Sequence, residues 1–211
     1  MKLAGAAITR LSLQHPCREA WAGEATIAAD AAPAGRVELE LPGLTLVGWV
    51  VDGGIWAQAC RVKLVGGAAG GVLKQVGGQH YRGASGGEIA QALVNACGED
   101  LDPQSDQAAT GQLLEHYQVR AGALGKALDA LCAALATDWR ISAAGLVRLG
   151  VPTWPESSPA GVVLQEEVAA RRELRLALEE PLLPGVTFHG RQIRAVDHEV
   201  EPGRWRAVAR Y

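Results

Sequence analysis

The feature that most constrains this chain is an alternation of apolar and polar residues in short segments, which Gly, Pro and Asp separate. The clearest examples are VELEL at 37–41, followed by Pro42-Gly43, and ELRLAL at 173–178. A period of two residues puts successive side chains on opposite faces of a β-strand. Gly, Pro and Asp favour the tight turns that join antiparallel strands. The pattern therefore predicts a mostly β fold.

The first part of the chain, from residue 1 to about residue 65, is predicted to be one antiparallel β unit. LTLVGWVVD and GIWAQACRVKLV flank Asp52-Gly53-Gly54, a sequence typical of the turns that close hairpins. The glycine-dense segment VGGAAGGVLKQVGGQ follows and offers few side chains for packing. We interpret this segment as a flexible linker or long loop, with a domain boundary after it.

Apolar residues at the spacing of an α-helix are found in the middle of the chain. Ser85 and Glu88 stand in the S-x-x-E order of a capping box, and an apolar face follows before Gly98, which is placed to end the helix. A second helix is predicted from the leucines at 124, 128, 131 and 135, a stripe suited to packing on a sheet. DWRISAAGLVRLG then predicts a strand, a turn at 143–145 and a second strand.

The chain returns to β patterning after the proline-bounded stretch VPTWPESSPAG. The last residues, PGVTFHGRQIRAVDHEVEPGRWRAVARY, predict a hairpin that turns at Glu201-Pro202-Gly203. Alternate residues share a face on each strand: Val196, His198 and Val200 before the turn, and Trp205, Ala207, Ala209 and Tyr211 after it. The predicted domains are 1–78, a β unit with its glycine-rich linker; 79–150, a small α+β unit; and 151–211, a second β unit.

Composition points to no particular class of partner. The chain has 211 residues, 48% of them hydrophobic, which is enough to bury a core. A net charge of −3 gives no general attraction to nucleic acid or to anionic membranes. The arginines and Trp205 of the C-terminal stretch leave nucleic-acid binding as a weak alternative, since acidic residues offset much of their charge.

Cys17, Cys60, Cys97 and Cys132 show no metal-ligand spacing and are predicted to be reduced core residues.

No leader or membrane segment is expected. The initial run MKLAGAAITR is interrupted at Thr9 and Arg10, before a signal peptide's apolar region is complete. Later apolar runs are too short to span a bilayer.

One motif suggests catalysis. Gly83-Ala84-Ser85-Gly86-Gly87 matches G-x-S-x-G, which in hydrolases presents a nucleophilic serine between a strand and a helix. A small serine hydrolase with His189 or His198 as the base is therefore the alternative function. The preceding GGQHYR is short and polar, whereas the strand before such a serine is buried and parallel. We favour Ser85 as a helix N-cap.

The remaining polar clusters predict no catalytic, metal or cofactor site. Asp197 and His198 are strand neighbours on opposite faces, so His198 is predicted to be solvated or partly packed. The other histidines, at positions 15, 80, 116 and 189, are isolated or lack an acidic neighbour. Asp100, Asp102 and Asp106 resemble the start of a calcium loop, but Ser105 replaces its turn glycine and no glutamate follows at the twelfth position. GGAAGG lacks the G-K-[ST] of a phosphate loop.

The whole pattern resembles a known family. Its features are a β unit, then HYRGASGGEIAQALVNACGE, then HYQVRAGALGKALDALCAALATDWRISAAGLVRLG, then the terminal sequence from Pro184 to Tyr211. This order resembles the baseplate or tail hub proteins of tailed phages, together with the related late control proteins and the hub part of type VI secretion spikes. The likeness covers most of residues 80 to 211 and, more loosely, the β-rich start.

The resemblance implies an α+β, mostly β fold in which two tube-like antiparallel β units flank a small α+β domain. It also implies a non-enzymatic homotrimer that presents six β domains to a hexameric tail tube. Such a hub joins the tail tube, or a distal tail protein, to a central spike or fibre. Its lumen passes the tape-measure protein and DNA without reading sequence. The expected location is the virion, after assembly in the bacterial cytoplasm.

Within such a trimer, the hairpin from Gln192 to Tyr211 is expected to contact a neighbouring subunit. We expect its arginines to meet carboxylates of that neighbour.

Overall fold

The computed structural model describes residues 1–56 and 59–211. The strands are β1 Lys2–Leu3, β2 Ala6–Pro16, β3 Ala22–Ile27, β4 Gly35–Leu41, β5 Leu44–Trp56, β6 Ala59–Gly66, β7 Gln75–Val76, β8 Gln79–Ser85, β9 Leu113–Val119, β10 Gly122–Ala123, β11 Trp139–Ile141, β12 Val147–Leu149, β13 Val162–Val168, β14 Glu173–Leu178, β15 Thr187–Phe188, β16 Arg191–Gln192, β17 Ala195–Glu201 and β18 Arg204–Arg210. The α-helices are α1 Gly86–Ala96, α2 Gln107–Gly111 and α3 Leu124–Ala134. The predicted fold class, α+β and mostly β, is confirmed.

The N-terminal strands form a closed antiparallel barrel. Its strands follow the order β1-β4-β5-β6-β3-β2, and β1 closes the ring because it pairs with both β4 and β2. The alternation seen in the sequence has the expected effect, since Val37, Leu39 and Leu41 of β4 are buried while Glu38 is exposed. The turn predicted at Pro42-Gly43 lies between β4 and β5.

The C-terminal strands extend the same sheet. Strand β2 pairs with β1 through Ala6 and Ala7, and further along the same strand Leu11–Pro16 pairs with β17. From β17 the sheet continues through β18 and β14 to β13, which is its last strand. The predicted hairpin is confirmed as β17 and β18, whose inward residues form one buried face because Val200 pairs with Trp205 and His198 with Ala207.

The middle of the chain packs its two longer helices into the same core. The predicted helices are α1, which Gly98 follows with a φ of 79°, and α3. Their apolar faces, including Leu93 and Leu131, are buried. The predicted strand, turn and strand are β11 and β12. The sequence did not predict α2, a single helical turn that begins where the Asp106 carboxylate accepts the N–H of Ala108.

The prediction of a turn at Asp52-Gly53-Gly54 is wrong. Strand β5 runs through these residues to Trp56, and Asp52, Gly53 and Gly54 pair with β6 residues. Glycine has a packing role there, since a Cβ on Gly53 would lie 3.0 Å from Cγ1 of Val62 and 3.1 Å from Cβ of Ala32. The strand predicted after the turn also included Ala57 and Gln58, which lie outside the described residues.

The glycine-rich segment is not a flexible linker. Gly66, Gly67, Gly70, Gly71 and Val72 are buried. The reason is Glu99, a buried residue whose carboxylate accepts backbone N–H groups from Ala68, Ala69 and Gly71 at 2.8, 3.1 and 2.6 Å. Glycine is required close to this carboxylate, because a Cβ on Gly67 would lie 2.7 Å from Oε1 of Glu99. The segment therefore attaches the barrel to the middle of the chain.

A tryptophan stabilises the barrel wall. Gly48 of β5 and Gly66 of β6 are directly paired, and the indole of Trp21 lies against both. A Cβ on Gly66 would lie 2.7 Å from Nε1 of Trp21, and one on Gly48 would lie 2.5 Å from its Cη2. The two glycines thus leave the space that the ring occupies, and Trp21 is 1% exposed.

Candidate functional site

Ser85, the candidate nucleophile, is bound in a helix cap. It is the N-cap of α1, its hydroxyl accepts the N–H of Glu88 at 3.3 Å, and the Glu88 carboxylate accepts both the backbone N–H and the hydroxyl of Ser85, at 2.7 and 2.9 Å. These hydrogen bonds lower the pKa of Glu88. The predicted capping box is confirmed. Strand β8, which ends at Ser85, pairs antiparallel with β9 in a two-stranded sheet, not in the parallel sheet of a hydrolase.

Replacing Ser85 by alanine tests the two roles of this residue. Loss of the cap should lower the free energy of unfolding by about 1 kcal/mol, measured by urea denaturation. Ser12→Ala, at an exposed strand position, is the control and should change it by less than about 0.5 kcal/mol. A fluorophosphonate probe should not label the wild-type chain. Stoichiometric labelling that disappears in Ser85→Ala would instead establish a nucleophilic serine.

The candidate base His198 is buried between strands. It lies on β17, paired with Leu13 of β2 and Ala207 of β18, and is 1% exposed. The prediction that it is solvated or partly packed is therefore wrong. Neither ring nitrogen has a hydrogen-bond partner among the described residues, and the ring centre lies 5.8 Å from that of Trp205. Asp197 points to the opposite face, as predicted, and pairs with Arg210. Within 1–56 and 59–211, no carboxylate is therefore arranged to orient His198 as a base.

His15 lies on β2 beside His198. The register pairs His15 with Val196 and His198 with Leu13, so the two histidines are diagonal neighbours on adjacent strands. Burial lowers the pKa of His15 to about 4. Burial and the nearby His15 lower the pKa of His198 to about 3. Both rings are therefore neutral at pH 7, and His15 is not the isolated residue that its sequence position suggested.

The other histidines lie on the surface. His80 and His116, on the paired strands β8 and β9, stack with their ring centres 5.8 Å apart. They too were treated as isolated, because the sequence does not show that these strands pair. His189 follows β15 with a φ of 48°, and its ring packs edge-on against Phe188.

The acidic loop after α1 binds its own backbone. Asp102 accepts the N–H of Gln104 at 2.8 Å, and Asp106 accepts that of Ala108 at 3.0 Å. Ser105 donates to the carbonyl of Asp102 and accepts the N–H of Leu149. Within residues 1–56 and 59–211, no three His, Cys, Asp or Glu side chains converge in the way a metal ion requires.

Cysteine chemistry is also disfavoured. All four cysteines are buried and unpaired by disulfides, as predicted. Burial raises the pKa of the Cys132 thiol to about 12, with Asp138 and Asp129 adding to the effect. A thiol of such high pKa is a poor nucleophile.

The charged face of the C-terminal sheet is paired within the chain. Arg175 contacts Glu166 at 2.9 Å, Arg191 contacts Glu167 at 3.0 Å, and Arg210 contacts Asp197. Tyr211 donates to Glu167 at 2.8 Å, which lowers the pKa of that carboxyl and raises the pKa of the tyrosine. Arg210 is the arginine of the hairpin from Gln192 to Tyr211 for which the structure gives an acidic partner within its own chain, Asp197. The expected contact of the hairpin arginines with a neighbouring subunit stays a prediction.

No helix in the described parts of the chain combines the length and the hydrophobicity that crossing a bilayer requires.

Comparison with known proteins identifies the fold. No family model matches the sequence, and no curated protein is significantly similar to it. Solved structures do match. The 43 kDa tail protein of prophage MuSo2 from Shewanella oneidensis superposes with a TM-score of 0.66 at 10% identity, covering 99% of this chain and 95% of its own.

Two further structures agree with the first. A tail protein from Neisseria meningitidis has a TM-score of 0.64 at 10% identity, over 98% of this chain and 94% of its own. An E. coli component of the type VI secretion system, described as structurally similar to the T4 tail proteins gp27 and gp5, has a TM-score of 0.60 at 9% identity, over 99% of this chain and 76% of its own. This chain therefore has the fold of these phage tail proteins and of the type VI secretion component, as its resemblance to the hub family predicted.

Proposed function

We propose that this protein is a structural subunit of a phage or phage-like tail baseplate. In this proposal it is a trimeric hub that joins a hexameric tail tube, or a distal tail protein, to a central spike or fibre. The lumen of the trimer passes the tape-measure protein and DNA without sequence-specific binding. The protein acts in the virion, after assembly in the host cytoplasm, and catalyses no reaction.

The observation that carries this proposal is the match of the whole chain, over 98 to 99% of its length, to tail proteins and to a type VI secretion component. A match confined to the barrel would support little, because small barrels occur with many functions. Here the barrel, the inserted helices and the C-terminal sheet are shared together.

The arrangement of the sheet supports a threefold assembly. In this proposal, residues 1–78 are the first tube-like unit, residues 79–150 the inserted α+β domain and residues 151–211 the second β unit. The closed barrel lies within 1–78, and β2 pairs with β17 of the C-terminal sheet. Two β units per chain give six in a trimer, so a threefold ring can meet a sixfold tube with similar contacts. Strand β13 ends the ten-stranded sheet, and an open strand edge of this kind favours pairing with another chain.

The mass of the native assembly tests this proposal. Size-exclusion chromatography with light scattering, followed by negative-stain imaging, should show a ring with threefold symmetry and three times the mass of the chain. A monomer at all accessible concentrations, or a sixfold ring of this chain, would contradict the hub.

Truncating the C-terminal hairpin is a poor test of assembly. Strand β18 lies between β17 and β14, and its Trp205, Ala207 and Ala209 are buried. Removing residues 201–211 would unfold the second β unit whether or not it contacts a neighbour. Point variants at exposed positions are needed instead.

A further inference from the structure

At one end of the barrel, residues Val51–Trp56 of β5 and the β6 residues that pair with them form an apolar ribbon. Pairing of β4 with β5 stops at Gly35 and Val50, so in the part of the chain that the structure describes, β6 is the one strand paired with β5 from Asp52 to Trp56. All six residues from Val51 to Trp56 are exposed, and Trp56 is 70% exposed. An exposed tryptophan at a strand end is costly in water and is a common anchor of protein interfaces.

The outer face of this ribbon has a defined shape and charge. Trp56 shares this face with Gly54 and Arg61, because Gly54 pairs with Arg61 and Trp56 with Ala59. Gly54 leaves open space beside the indole, within a hollow of about 310 Å³. Lys63 lies between two acidic residues, because it pairs with Asp52 of β5 and with Glu24 of β3. Arg61 pairs with the uncharged Gly54 and Thr26, and it is the cation nearest to Trp56 along the ribbon.

A second apolar surface lies where the sheet divides. Strands β1 and β17 pair with different parts of the same edge of β2 and diverge between Ala7 and Leu11. The cleft between them has a volume of about 500 Å³. Its apolar lining comes from Met1, Ile8, Pro42, Leu178, Val200 and Trp205.

The rim of this cleft carries the opposite charge. Its charged residues are Glu179, Glu201 and Arg204. Glu201 and Arg204 lie opposite each other across the β17–β18 turn, so the side chain of Glu179 gives the rim one more carboxylate than it has cationic side chains. The ribbon thus presents a tryptophan beside one cation, and the cleft presents an apolar floor beside one carboxylate.

We propose that the ribbon of one subunit docks in the cleft of the next copy of this chain, with Trp56 on the apolar floor and Arg61 facing Glu179 of that copy. This inference rests on the proposed trimeric hub, whose subunit contact it specifies. Trp56 does not fill the cleft of its own chain, because its side chain is mostly exposed. A contact between two different surfaces of identical chains repeats head to tail, and a ring of three closes it.

Charge exchange in the full-length chain tests the contact. We expect Trp56→Ser to raise the dissociation constant of the trimer by about 30-fold or more, because buried interface tryptophans are hot spots. Arg61→Glu alone and Glu179→Arg alone should each raise it by about tenfold, and the double variant should restore it to within about threefold of wild type. Mass photometry over a dilution series measures each constant.

Two controls separate this inference from the hub itself. Leu113→Ser removes an apolar side chain of comparable exposure, 63% against 70% for Trp56, from β9 and should leave the dissociation constant unchanged. Thermal unfolding should show that every variant folds as the wild type does, since the changed residues are exposed. A wild-type trimer that tolerates Trp56→Ser or Arg61→Glu, or single variants that the double exchange does not rescue, would overturn the docking while the hub stands. A wild-type chain that stays monomeric overturns both.

Discussion

Lowering the pH from 7 to 5 should destabilise this protein by about 3 kcal/mol, because one buried and one partly buried histidine are neutral in the folded chain. Burial lowers the pKa of His198 to about 3 and that of His15 to about 4. In the unfolded chain both have a pKa of about 6.5. Between these values the unfolded state binds more protons, so stability is complete above pH 6.5 and falls as the pH decreases. His198 should account for about 2 kcal/mol, and His15, which is only partly buried, for less.

Urea denaturation at pH 7 and pH 5 measures this effect in matched variants. His198→Phe keeps an aromatic ring beside Trp205 and removes two nitrogens that have no hydrogen-bond partner. This substitution should remove at least half of the difference in the free energy of unfolding between pH 7 and pH 5. His116→Gln, at an exposed strand position, should leave the dependence as in the wild type. An unchanged pH dependence in His198→Phe would show that other groups control acid stability.

The location of these histidines determines which part of the fold acid should destabilise first. They lie on β2 and β17, the strand pair through which the barrel continues into the C-terminal sheet. A charge on either ring would be placed in an apolar environment with no acidic partner, and the two charges would repel each other. Acid should therefore weaken the pairing of β2 with β17 before it affects the rest of the barrel or of the C-terminal sheet.

The sequence predicted those elements whose burial follows a local period. Strands β4, β14, β17 and β18 were recognised because every second side chain is buried, and α1 because its cap and its final glycine are local signals. The wrong turn at Asp52-Gly53-Gly54 has a local cause as well. Glycine is common both in turns and at positions in strands where a neighbouring side chain approaches closely, and only the position of Ala32 and Val62 distinguishes the two.

The features that the sequence did not predict depend on distant residues. The continuation of β2 into β17 joins segments almost two hundred residues apart in a chain of 211. The glycine-rich segment is ordered because Glu99, about thirty residues later, binds three of its N–H groups. The glycine-rich segment does have few bulky side chains. That property does not make it flexible, because it lets the backbone come close to the Glu99 carboxylate. His198 was misjudged for the same reason, since its cover comes from two other strands.

Truncating Trp21 should have the largest effect of any single substitution considered for this chain. The ring is buried across the directly paired Gly48 and Gly66, where the barrel wall has no side chains of its own. Trp21→Ala should lower the free energy of unfolding by about 3 to 5 kcal/mol. Gly66→Ala should lower it by about 1 to 3 kcal/mol, because the added methyl group would overlap the indole, and the rigid ring cannot yield within a close-packed core.

The double variant shows whether the ring and the glycine act together. In Trp21→Ala with Gly66→Ala the overlap no longer exists, so the total loss should fall below the sum of the single losses by about 1 to 3 kcal/mol. Gly77→Ala is the matched control, since a Cβ there would meet no atom within 4 Å, and its effect should stay within about 0.5 kcal/mol. Additive losses in the double variant would mean that Gly66 does not make room for Trp21, and that the barrel tolerates a side chain at this position for another reason.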